Sequence, residues 1–383
     1  MKILICAAGS GGHIYPALSL AHRLRRENGA VKVVFLTAKR QIEKKIFQES
    51  DFETFETDFL GLPKKDGSNL FSLCLKNLNF LLKFIKESIK VFKFLSKNKF
   101  DIVIGFGGAG SIGAVLGAKI LAIPTLIHEQ NLVPGRANRF LAGFSTAVAT
   151  SFEESGKYFK GKNTVFTGNP IRSDLKKISK AQARKSLSLD ERKFSILIFG
   201  GSQGSQFINE VFVQAMRGLN GAEKEQLQLI HVAGDRDLGK TVLAYSNLNV
   251  IVKTFSYFLD MSLAYSAADL VVCRAGAATI CELSYYGLPA VLIPYPYAKR
   301  HQIVNANFMR DKQAAFVVFQ DENCAQSLIR IIRNVLQNRL LLAQMADSAC
   351  GLNKDNAAEK MVHKIKELVK SRGRQYQDKA FNC

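Results

Sequence analysis

Short apolar segments that end in glycine-rich turns mark the start of each half of the chain. The segment from Lys2 to Ala8 is apolar after its first residue, glycines follow at 9–12, and residues 16–26 have the spacing of an amphipathic helix. The same order returns at Phe194 to Phe199, with the glycine turn at 200–204. Such fully apolar strands are typical of parallel sheets that helices cover on both faces. The pattern predicts an α/β chain of two doubly wound, Rossmann-like domains.

The middle and the end of the chain predict where these domains begin and end. At 383 residues the chain is long enough for two hydrophobic cores. Gly168-Asn169-Pro170 predicts a linker, because the residue before a proline is pushed into an extended conformation. We therefore predict a first domain over 1–168 and a second over 169–350. A charged helix at 351–372 is expected to pack back on the first domain, and residues 373–383 are expected to fray.

The amino-acid composition indicates which classes of partner the protein binds and in which cellular compartment it works. Lys and Arg number 53 against 32 Asp and Glu, and the net charge of +21 favours a polyanionic partner such as nucleic acid, anionic lipid or a phosphorylated substrate. The seven cysteines are scattered without a C-x-x-C pair, which indicates a reducing compartment and no structural zinc. No stretch reaches the roughly 18 uncharged apolar residues of a membrane span, and the first apolar run is too short for a signal peptide. The chain is expected to stay in the cytoplasm.

The first glycine turn predicts an anion site with a histidine at its mouth. Backbone N–H groups at such a turn, together with the start of the following helix, can receive a phosphate or diphosphate. The turn is not a dinucleotide fingerprint, because Ile14 stands where the third glycine of G-x-G-x-x-G belongs. His13 is a candidate proton acceptor, and a histidine that only caps the helix is the alternative.

Two more clusters follow apolar strands in the first half. The glycine-rich segment from Gly105 to Ser111 lacks the Gly-Lys-Ser/Thr ending of a P-loop. His128-Glu129-Gln130-Asn131 is a dense polar cluster directly after the strand at 125–127. Ligands of open α/β sheets bind at the carboxyl ends of the strands, so both clusters are predicted to lie at one site.

The second half offers groups suited to a nucleotide. The turn at 201–204 carries backbone and side-chain donors for phosphates, and Arg172 could neutralise their charge. Glu282, in the first turn of a helix after an apolar strand, could accept hydrogen bonds from ribose hydroxyls, although an ordinary surface glutamate favoured by the helix dipole is the alternative. Gln302 and Asn305 supply amides suited to sugar hydroxyls.

A helix rich in phenylalanine and lysine at 69–97 predicts a membrane-binding surface. At 100° per residue, Leu78, Leu82, Ile85, Ile89 and Phe92 form one apolar stripe, which we expect to face the core. Lysines, among them Lys83, Lys86 and Lys90, lie beside it, and beyond them Phe80, Phe84 and Phe94 are expected to face outward. Exposed aromatic residues next to lysines favour an anionic membrane surface. A buried Phe-rich helix with solvated lysines is the alternative.

Together these motifs resemble the MurG family of peptidoglycan N-acetylglucosaminyltransferases over essentially the whole chain. The resemblance is carried by seven ordered motifs: residues 11–18 (GGHIYPAL), 128–131 (HEQN), 167–172 (TGNPIR), 200–204 (GGSQG), 273–277 (CRAGA), Glu282, and Gln302 with Asn305. It implies the GT-B fold, in which two such domains face each other across a cleft. It also implies transfer of N-acetylglucosamine from UDP-N-acetylglucosamine to lipid I, an undecaprenyl-diphosphate-linked muramyl-pentapeptide, giving lipid II.

The same resemblance implies roles for individual residues. The donor is expected to contact Ser10, Gly11, Gly12, Asn131, Arg172, Ser202, Gln203, Phe258, Ala277, Ala278, Thr279, Ile280, Cys281, Glu282, Gln302 and Asn305. The acceptor is expected to contact Gly107, Gly108, Ser111 and His128. Two departures stand out: Ala109 replaces the tyrosine that usually follows two glycines in the family, and Phe258 replaces a smaller aliphatic residue.

The implied chemistry is a single inverting displacement that needs a general base. His13 is the first candidate and Glu129 the second, and the sequence does not separate them. The departing charge can be met by the start of the helix after 201–204 and by Arg172, so no cofactor is required and a divalent metal is not obligatory. The enzyme would act at the cytoplasmic face of the inner membrane, with other cell-wall synthesis proteins as possible partners. A UDP-sugar 2-epimerase is the alternative enzyme, and a non-catalytic nucleotide-binding or RNA-binding protein is less favoured, because no aromatic RNA-binding signature is present.

Overall fold

Two parallel β-sheets, one in each unit of the chain, organise the structure. The computed structural model describes residues 1–7, 11–48, 50–59, 70–201, 204–297, 300–353 and 356–381. One unit comprises residues 1–172 and 356–383, and the other residues 173–355. The sequence predicts a boundary after residue 168, whereas the observed division follows Arg172. The predicted fold class of two doubly wound parallel-sheet units is confirmed.

The first unit contains a seven-stranded sheet, in the order β3-β2-β1-β4-β5-β6-β7, in which every pair is parallel. Its elements are β1 (Lys2–Cys6), α1 (Gly11–Glu27), β2 (Lys32–Ala38), α2 (Gln41–Gln48), β3 (Glu53–Thr57), α3 (Leu70–Asn98), β4 (Ile102–Gly105), α4 (Gly108–Ile120), β5 (Thr125–Glu129), α5 (Arg136–Leu141), β6 (Ala147–Thr150), a 3-10 helix (Glu153–Phe159) and β7 (Thr164–Phe166).

The second unit contains a six-stranded parallel sheet in the order β10-β9-β8-β11-β12-β13. Its elements are α6 (Lys180–Ser186), β8 (Phe194–Phe199), α7 (Gln206–Arg217), α8 (Gly221–Glu225), β9 (Leu227–Val232), α9 (Leu238–Tyr245), β10 (Ile251–Phe255), α10 (Met261–Ala267), β11 (Leu270–Cys273), α11 (Ala277–Tyr286), β12 (Ala290–Leu292), α12 (His301–Asp311), β13 (Ala315–Val317), α13 (Cys324–Gln337) and α14 (Arg339–Gly351).

The apolar strands are buried on both faces, as their composition predicts. Successive side chains of a strand point to opposite faces. In β1, Ile3 and Ile5 join one hydrophobic cluster, while Leu4 and Cys6 join another. Burial also raises the pKa of the Cys6 thiol, which stays protonated. An amphipathic strand would have exposed one of these faces to water.

The C-terminal helix completes the core of the first unit. This helix, α15 (Ala357–Phe381), buries Met361, Val362 and Ile365 in the cluster that also contains Ile3 and Ile5. An ion pair between Arg23 and Glu359 at 2.9 Å joins it to α1. The helical backbone continues to Phe381, and the fraying of the tail from residue 373 stays a prediction.

Each sheet has one point where the strand order reverses. In the first unit this point lies between β1 and β4, and in the second between β8 and β11. Helices on the two sides of such a point leave in opposite directions, which opens a crevice at the carboxyl ends of the strands. The candidate residues are therefore expected at these two edges.

Candidate functional site

His13 and the second glycine turn meet at the reversal point of the first sheet. Cys6, the last residue of β1, pairs with Gly105, the last residue of β4, so the turns that follow are neighbours. Gly107 has a φ of 100°, a conformation that favours glycine. The Nε2 atom of His13 lies 3.6 Å from the position that a Cβ atom on Gly107 would occupy. The residues predicted from two separate motifs thus lie together, whereas Ser10 lies outside the described residues.

The Ser111 side chain stabilises the glycine turn through hydrogen bonds to its backbone. Its hydroxyl donates to the backbone oxygen of Gly107 at 2.7 Å and accepts from the Gly107 N–H at 3.2 Å. The side chain is 1% exposed. The Ser111 hydroxyl is therefore used within the turn, and its contact with the acceptor stays a prediction.

His128 is buried and neutral. Its Nε2 lies 3.1 Å from the backbone oxygen of Gly168, which can only accept, so Nε2 carries the proton. Its Nδ1 then accepts from the Gln130 amide at 3.2 Å. Burial lowers the pKa of His128 to about 4. The ring is thus used within the first unit, and the acceptor contact of His128 stays a prediction.

Glu129 holds the loop that follows β5. One carboxylate oxygen accepts from the backbone and side-chain nitrogens of Asn131, at 2.9 and 3.2 Å. The other accepts from the Gly135 N–H at 3.0 Å and the Asn138 amide at 2.8 Å. The residue is 1% exposed. Both oxygens are thus engaged away from solvent, which favours His13 as the base, while the role of Glu129 stays a prediction.

Asn138 was not singled out from the sequence. It is 3% exposed, and its Oδ1 has no hydrogen-bond partner among the described residues. This oxygen lies 3.8 Å from the position that a Cβ atom on Gly107 would occupy. Nothing in the local pattern of α5 indicates this placement, which depends on the packing of α5 behind the glycine turn.

In the second unit, a glycine turn leads into α7. Ser202 and Gln203 lie outside the described residues, but the flanking Gly201 and Gly204 have φ angles of 104° and 73°. A Cβ atom on Gly204 would come within 2.5 Å of the backbone oxygen of Ala233, so the turn packs directly on the end of β9. Ser205 caps α7 by accepting from the Ile208 N–H at 3.4 Å.

A buried arginine lies beneath this turn. Arg274, directly after β11, is 8% exposed and donates to the Ser205 hydroxyl at 2.9 Å and to the backbone oxygen of Ile293 at 3.1 Å. Its charge therefore lies at the start of α7, where the helix dipole also favours an anion. In the sequence, Arg274 is one residue of the motif at 273–277, and the motif by itself predicts no role for it.

A chain of hydrogen bonds fixes α7 from the other side. The Asn209 amide nitrogen donates to the backbone oxygen of Ala233 at 2.9 Å and to Asp237 at 3.1 Å, so its Oδ1 faces His231 at 3.0 Å. His231 Nε2 must then carry the proton, and Nδ1 accepts from the Tyr245 hydroxyl at 2.8 Å. In this series of hydrogen bonds, each group can therefore be assigned as either donor or acceptor in only one way.

We expect His231 to make the protein less stable in mild acid. Burial lowers its pKa to about 3 from an ordinary 6.5, so below pH 6.5 the unfolded chain binds a proton that the native state does not. One such proton costs about 1.4 kcal/mol per pH unit, or about 2 kcal/mol between pH 6.5 and pH 5. Urea unfolding at pH 7 and pH 5, compared with His231→Gln, measures this difference. Equal losses in both proteins would contradict it.

The predicted sugar-binding residues around α11 and α12 divide into two groups. Ala277 and Ile280 are buried, whereas Ala278, Thr279, Cys281 and Glu282 are half-buried. Asn305 is fully buried and donates to the backbone oxygen of Ala275 at 3.2 Å. This hydrogen bond stabilises the loop before α11, and the contact of Asn305 with the sugar stays a prediction. The half-buried Gln302 accepts from the Tyr295 N–H at 2.8 Å.

Several other residues are predicted to contact the nucleotide-sugar, and the structure shows their surroundings. Arg172 ends the first unit and lies over the Tyr15 ring, at 4.5 Å from its centroid. Phe258 is half-buried against Phe255, with ring centroids 4.5 Å apart. Their roles toward a nucleotide stay predictions. The donor contacts of Gly11 and Gly12, the first two residues of α1, also stay predictions, as does the acceptor contact of Gly108, the first residue of α4.

The predicted orientation of α3 is wrong. Phe84 and Phe94 pack against the core of the first unit, where Phe94 stacks on Phe55 at 3.9 Å and Phe84 lies 5.4 Å from Phe59. Phe80 is half-buried and stacks on Phe84 at 6.2 Å. The aliphatic stripe expected to face the core is the side that faces out. Its exposed members are Leu78 at 52%, Leu82 at 58%, Ile85 at 46% and Ile89 at 50%.

Basic side chains accompany this aliphatic stripe. Lys83, Lys86 and Lys90 are exposed, and Lys90 donates to the backbone oxygen of Glu56 at 2.9 Å. Leu81, 50% exposed, adds to the apolar surface. An apolar stripe beside lysines is thus present on α3, built from different residues than predicted. Within the described ranges, no helix is long and apolar enough to cross a membrane.

Comparison with known proteins identifies the family. Residues 3–150 match the glycosyltransferase family 28 N-terminal domain, and residues 195–379 match the C-terminal domain of the same family. The chain belongs to glycosyltransferase family 28. The family predicted from the sequence motifs is thereby confirmed.

Relatives of this family match along their whole length. A UDP-N-acetylglucosamine–N-acetylmuramyl-(pentapeptide) pyrophosphoryl-undecaprenol N-acetylglucosamine transferase of Halothermothrix orenii is 36% identical over 381 residues, which cover 97% of this chain and 100% of the relative. Among solved structures of this GT-B class, Acinetobacter baumannii MurG has a TM-score of 0.76 and 29% identity, with 96% of this chain and 99% of that chain covered.

A structure from another enzyme class shares only the fold. A putative UDP-N-acetylglucosamine 2-epimerase from Listeria monocytogenes has a TM-score of 0.69 but 14% identity, over 95% of each chain. The fold alone therefore does not separate a transferase from an epimerase. That separation depends on the family 28 match and on the residues of the site.

Proposed function

We infer that this chain transfers N-acetylglucosamine from UDP-N-acetylglucosamine to lipid I, giving lipid II for peptidoglycan synthesis. The observation that carries this inference is the match, over 97% of the chain, to a family 28 relative that bears this activity in its name. The placement of His13 at the reversal point of the first sheet is consistent with it, since an acceptor hydroxyl needs a base.

The reaction is a single displacement with inversion. The C4 hydroxyl oxygen of the muramyl sugar forms a bond to C1 of the donor sugar, and the bond from C1 to the diphosphate oxygen breaks. His13 takes the hydroxyl proton, and UDP leaves with the bonding electron pair. The growing charge on UDP is met by the start of α7 and by Arg274, whose guanidinium lies under Ser205. This arrangement supplies positive charge without a divalent metal.

A transfer assay with matched arms tests this function. UDP-N-acetylglucosamine labelled in the sugar is incubated with a lipid I analogue, and label is counted in the lipid phase with and without EDTA. We expect transfer in both. If the chain is an epimerase, UDP-N-acetylglucosamine alone is converted to its 2-epimer without any lipid. Label that stays in the nucleotide sugar in every arm would overturn the transferase assignment.

We propose that the exposed stripe of α3 holds the protein on the cytoplasmic face of the inner membrane. The acceptor has a polyprenyl tail, so the enzyme must work at a bilayer. Leu78, Leu82, Ile85 and Ile89 supply apolar surface, and Lys83 and Lys86 supply charge beside it. The net charge of +21 adds a long-range attraction to anionic lipids, which salt screens.

Replacing Leu82 and Ile85 by serine is expected to weaken binding to anionic vesicles. Both side chains are about half exposed, and insertion of that half contributes about 1 kcal/mol each, so the partition coefficient should fall about 10- to 100-fold. Co-sedimentation with vesicles of phosphatidylglycerol measures it. UDP affinity should not change.

The chain offers a matched control for this experiment. Val242 and Leu243 on α9 of the second unit are 49% and 76% exposed, and their double serine variant should bind vesicles as the parent does. Full vesicle affinity in the Leu82→Ser/Ile85→Ser protein would exclude α3 as the binding surface. An equal loss in the α9 variant would indicate non-specific adsorption.

A further inference from the structure

A buried tyrosine contacts the glutamate predicted to bind the donor's ribose. Tyr265, on α10, donates from its hydroxyl to Oε2 of Glu282, on α11, at 2.7 Å. Tyr265 is 1% exposed and is among the largest fully buried side chains of the described structure. The two helices are thus joined by a hydrogen bond in which the acceptor is a carboxylate, a kind that is stronger than one between neutral groups.

The ring of Tyr265 is itself held in place. It stacks on Tyr286 with centroids 5.0 Å apart and an interplanar angle of 30°, and it meets Phe199 edge-on at 6.0 Å. Tyr286 in turn donates from its hydroxyl to the backbone oxygen of Lys176 at 3.0 Å. The hydroxyl of Tyr265 therefore has a fixed position, whereas a glutamate side chain on its own has several rotamers.

We propose that Tyr265 is a positioning residue for recognition of the donor's ribose. By holding one carboxylate oxygen of Glu282, it fixes the plane of the carboxylate, so that Glu282 accepts from the ribose hydroxyls without first losing rotamer freedom. Tyr265 is buried and touches no donor atom itself. The inference rests on the proposed function, in which Glu282 accepts from the ribose.

A double-mutant cycle on UDP affinity tests this. Titration calorimetry with UDP is carried out on the parent, Tyr265→Phe, Glu282→Ala and the double variant. We expect Tyr265→Phe alone to raise the Kd about 5- to 10-fold, and to add less than about twofold when Glu282 is already alanine. Turnover at saturating donor should stay within about twofold of the parent, so the effect lies in KM rather than kcat.

A second ligand separates positioning from general damage to the fold. With 2′,3′-dideoxyuridine diphosphate, which lacks both ribose hydroxyls, Tyr265→Phe should bind as tightly as the parent. Tyr285→Phe is the matched control, because it removes the hydroxyl of a half-buried tyrosine on the same helix as Glu282, and it should leave the Kd of UDP unchanged. Thermal melting checks that each variant is folded.

The outcomes distinguish the inference from the function on which it rests. If Tyr265→Phe has no effect on UDP, or weakens the dideoxy ligand and UDP equally, the positioning role is overturned. The same holds if its effect is fully additive with that of Glu282→Ala. If Glu282→Ala itself leaves UDP affinity unchanged, the proposed donor site is wrong and the inference falls with it.

Discussion

Replacing His13 by alanine is expected to lower the turnover number about 10²- to 10⁴-fold, which is the usual contribution of a general base. The donor's UDP should bind within about twofold of its parent affinity, since the loss concerns the proton of the acceptor. His13 Nε2 faces the glycine turn at Gly107, and the other candidate base, Glu129, is buried with both oxygens occupied. Single-turnover transfer to a lipid I analogue, with UDP titration beside it, measures both quantities.

His22 provides the control, because it lies on the same helix and packs on Phe52, with ring centroids 5.1 Å apart. Its alanine variant should keep parental turnover. If His13→Ala also turned over near the parental rate, the proton would have to leave through another group or through water. A parallel loss of UDP affinity would instead assign His13 to donor binding.

Replacing Glu282 by alanine is expected to weaken UDP binding by roughly 1.5 to 3 kcal/mol, the usual range for hydrogen bonds to a charged group, or about 10- to 150-fold in Kd. The ribose loses its charged acceptor, and the Tyr265 hydroxyl loses the same carboxylate. Calorimetry with UDP checks the value.

The exposed Glu322, in the loop before α13, is the comparison for Glu282 because it carries the same charge in the same unit. Its alanine variant should bind UDP as the parent does. Unchanged affinity in Glu282→Ala would remove that residue from the donor site, while equal weakening in both variants would point to a long-range effect of net charge.

The arrangement of the sheets was predictable because it is encoded in local pattern. Apolar runs such as Ile102–Gly105 and Phe194–Phe199 become central strands, and glycines in the turns after them adopt conformations that favour glycine, as at Gly107 and Gly204. Since loops at the carboxyl ends of parallel strands share one edge, His13 and Gly107 could be expected to meet.

The direction in which a side chain points was not predictable in the same way. His128, Glu129 and Asn305 are polar residues at strand ends or helix starts, yet all three are buried and bonded within their own unit. Residue type suggests the chemistry of a group, but only packing decides whether its polar atoms face a ligand or the backbone.

The error on α3 has a related cause. The helix has two apolar stripes, and helical periodicity separates them without saying which one meets the sheet. The large rings of Phe84 and Phe94 fill the space against Phe59 and Phe55, which leaves the aliphatic stripe outside. The sequence predicts that the aromatic residues of α3 anchor the protein on a membrane. In the structure they pack in the core, where their rings bury more surface than the aliphatic side chains would.

Because α15 belongs to the first unit, the two units can complete their folding only in a certain order during synthesis. Met361, Val362, Ile365 and Leu368 complete a core whose first members are Ile3 and Ile5, so the unit that leaves the ribosome first is the last to be finished. Residues 173–355 form a unit of their own and are fully translated earlier. Until α15 emerges, the sheet built around β1 keeps part of an apolar face uncovered, and such exposed apolar surface favours aggregation of partly folded chains.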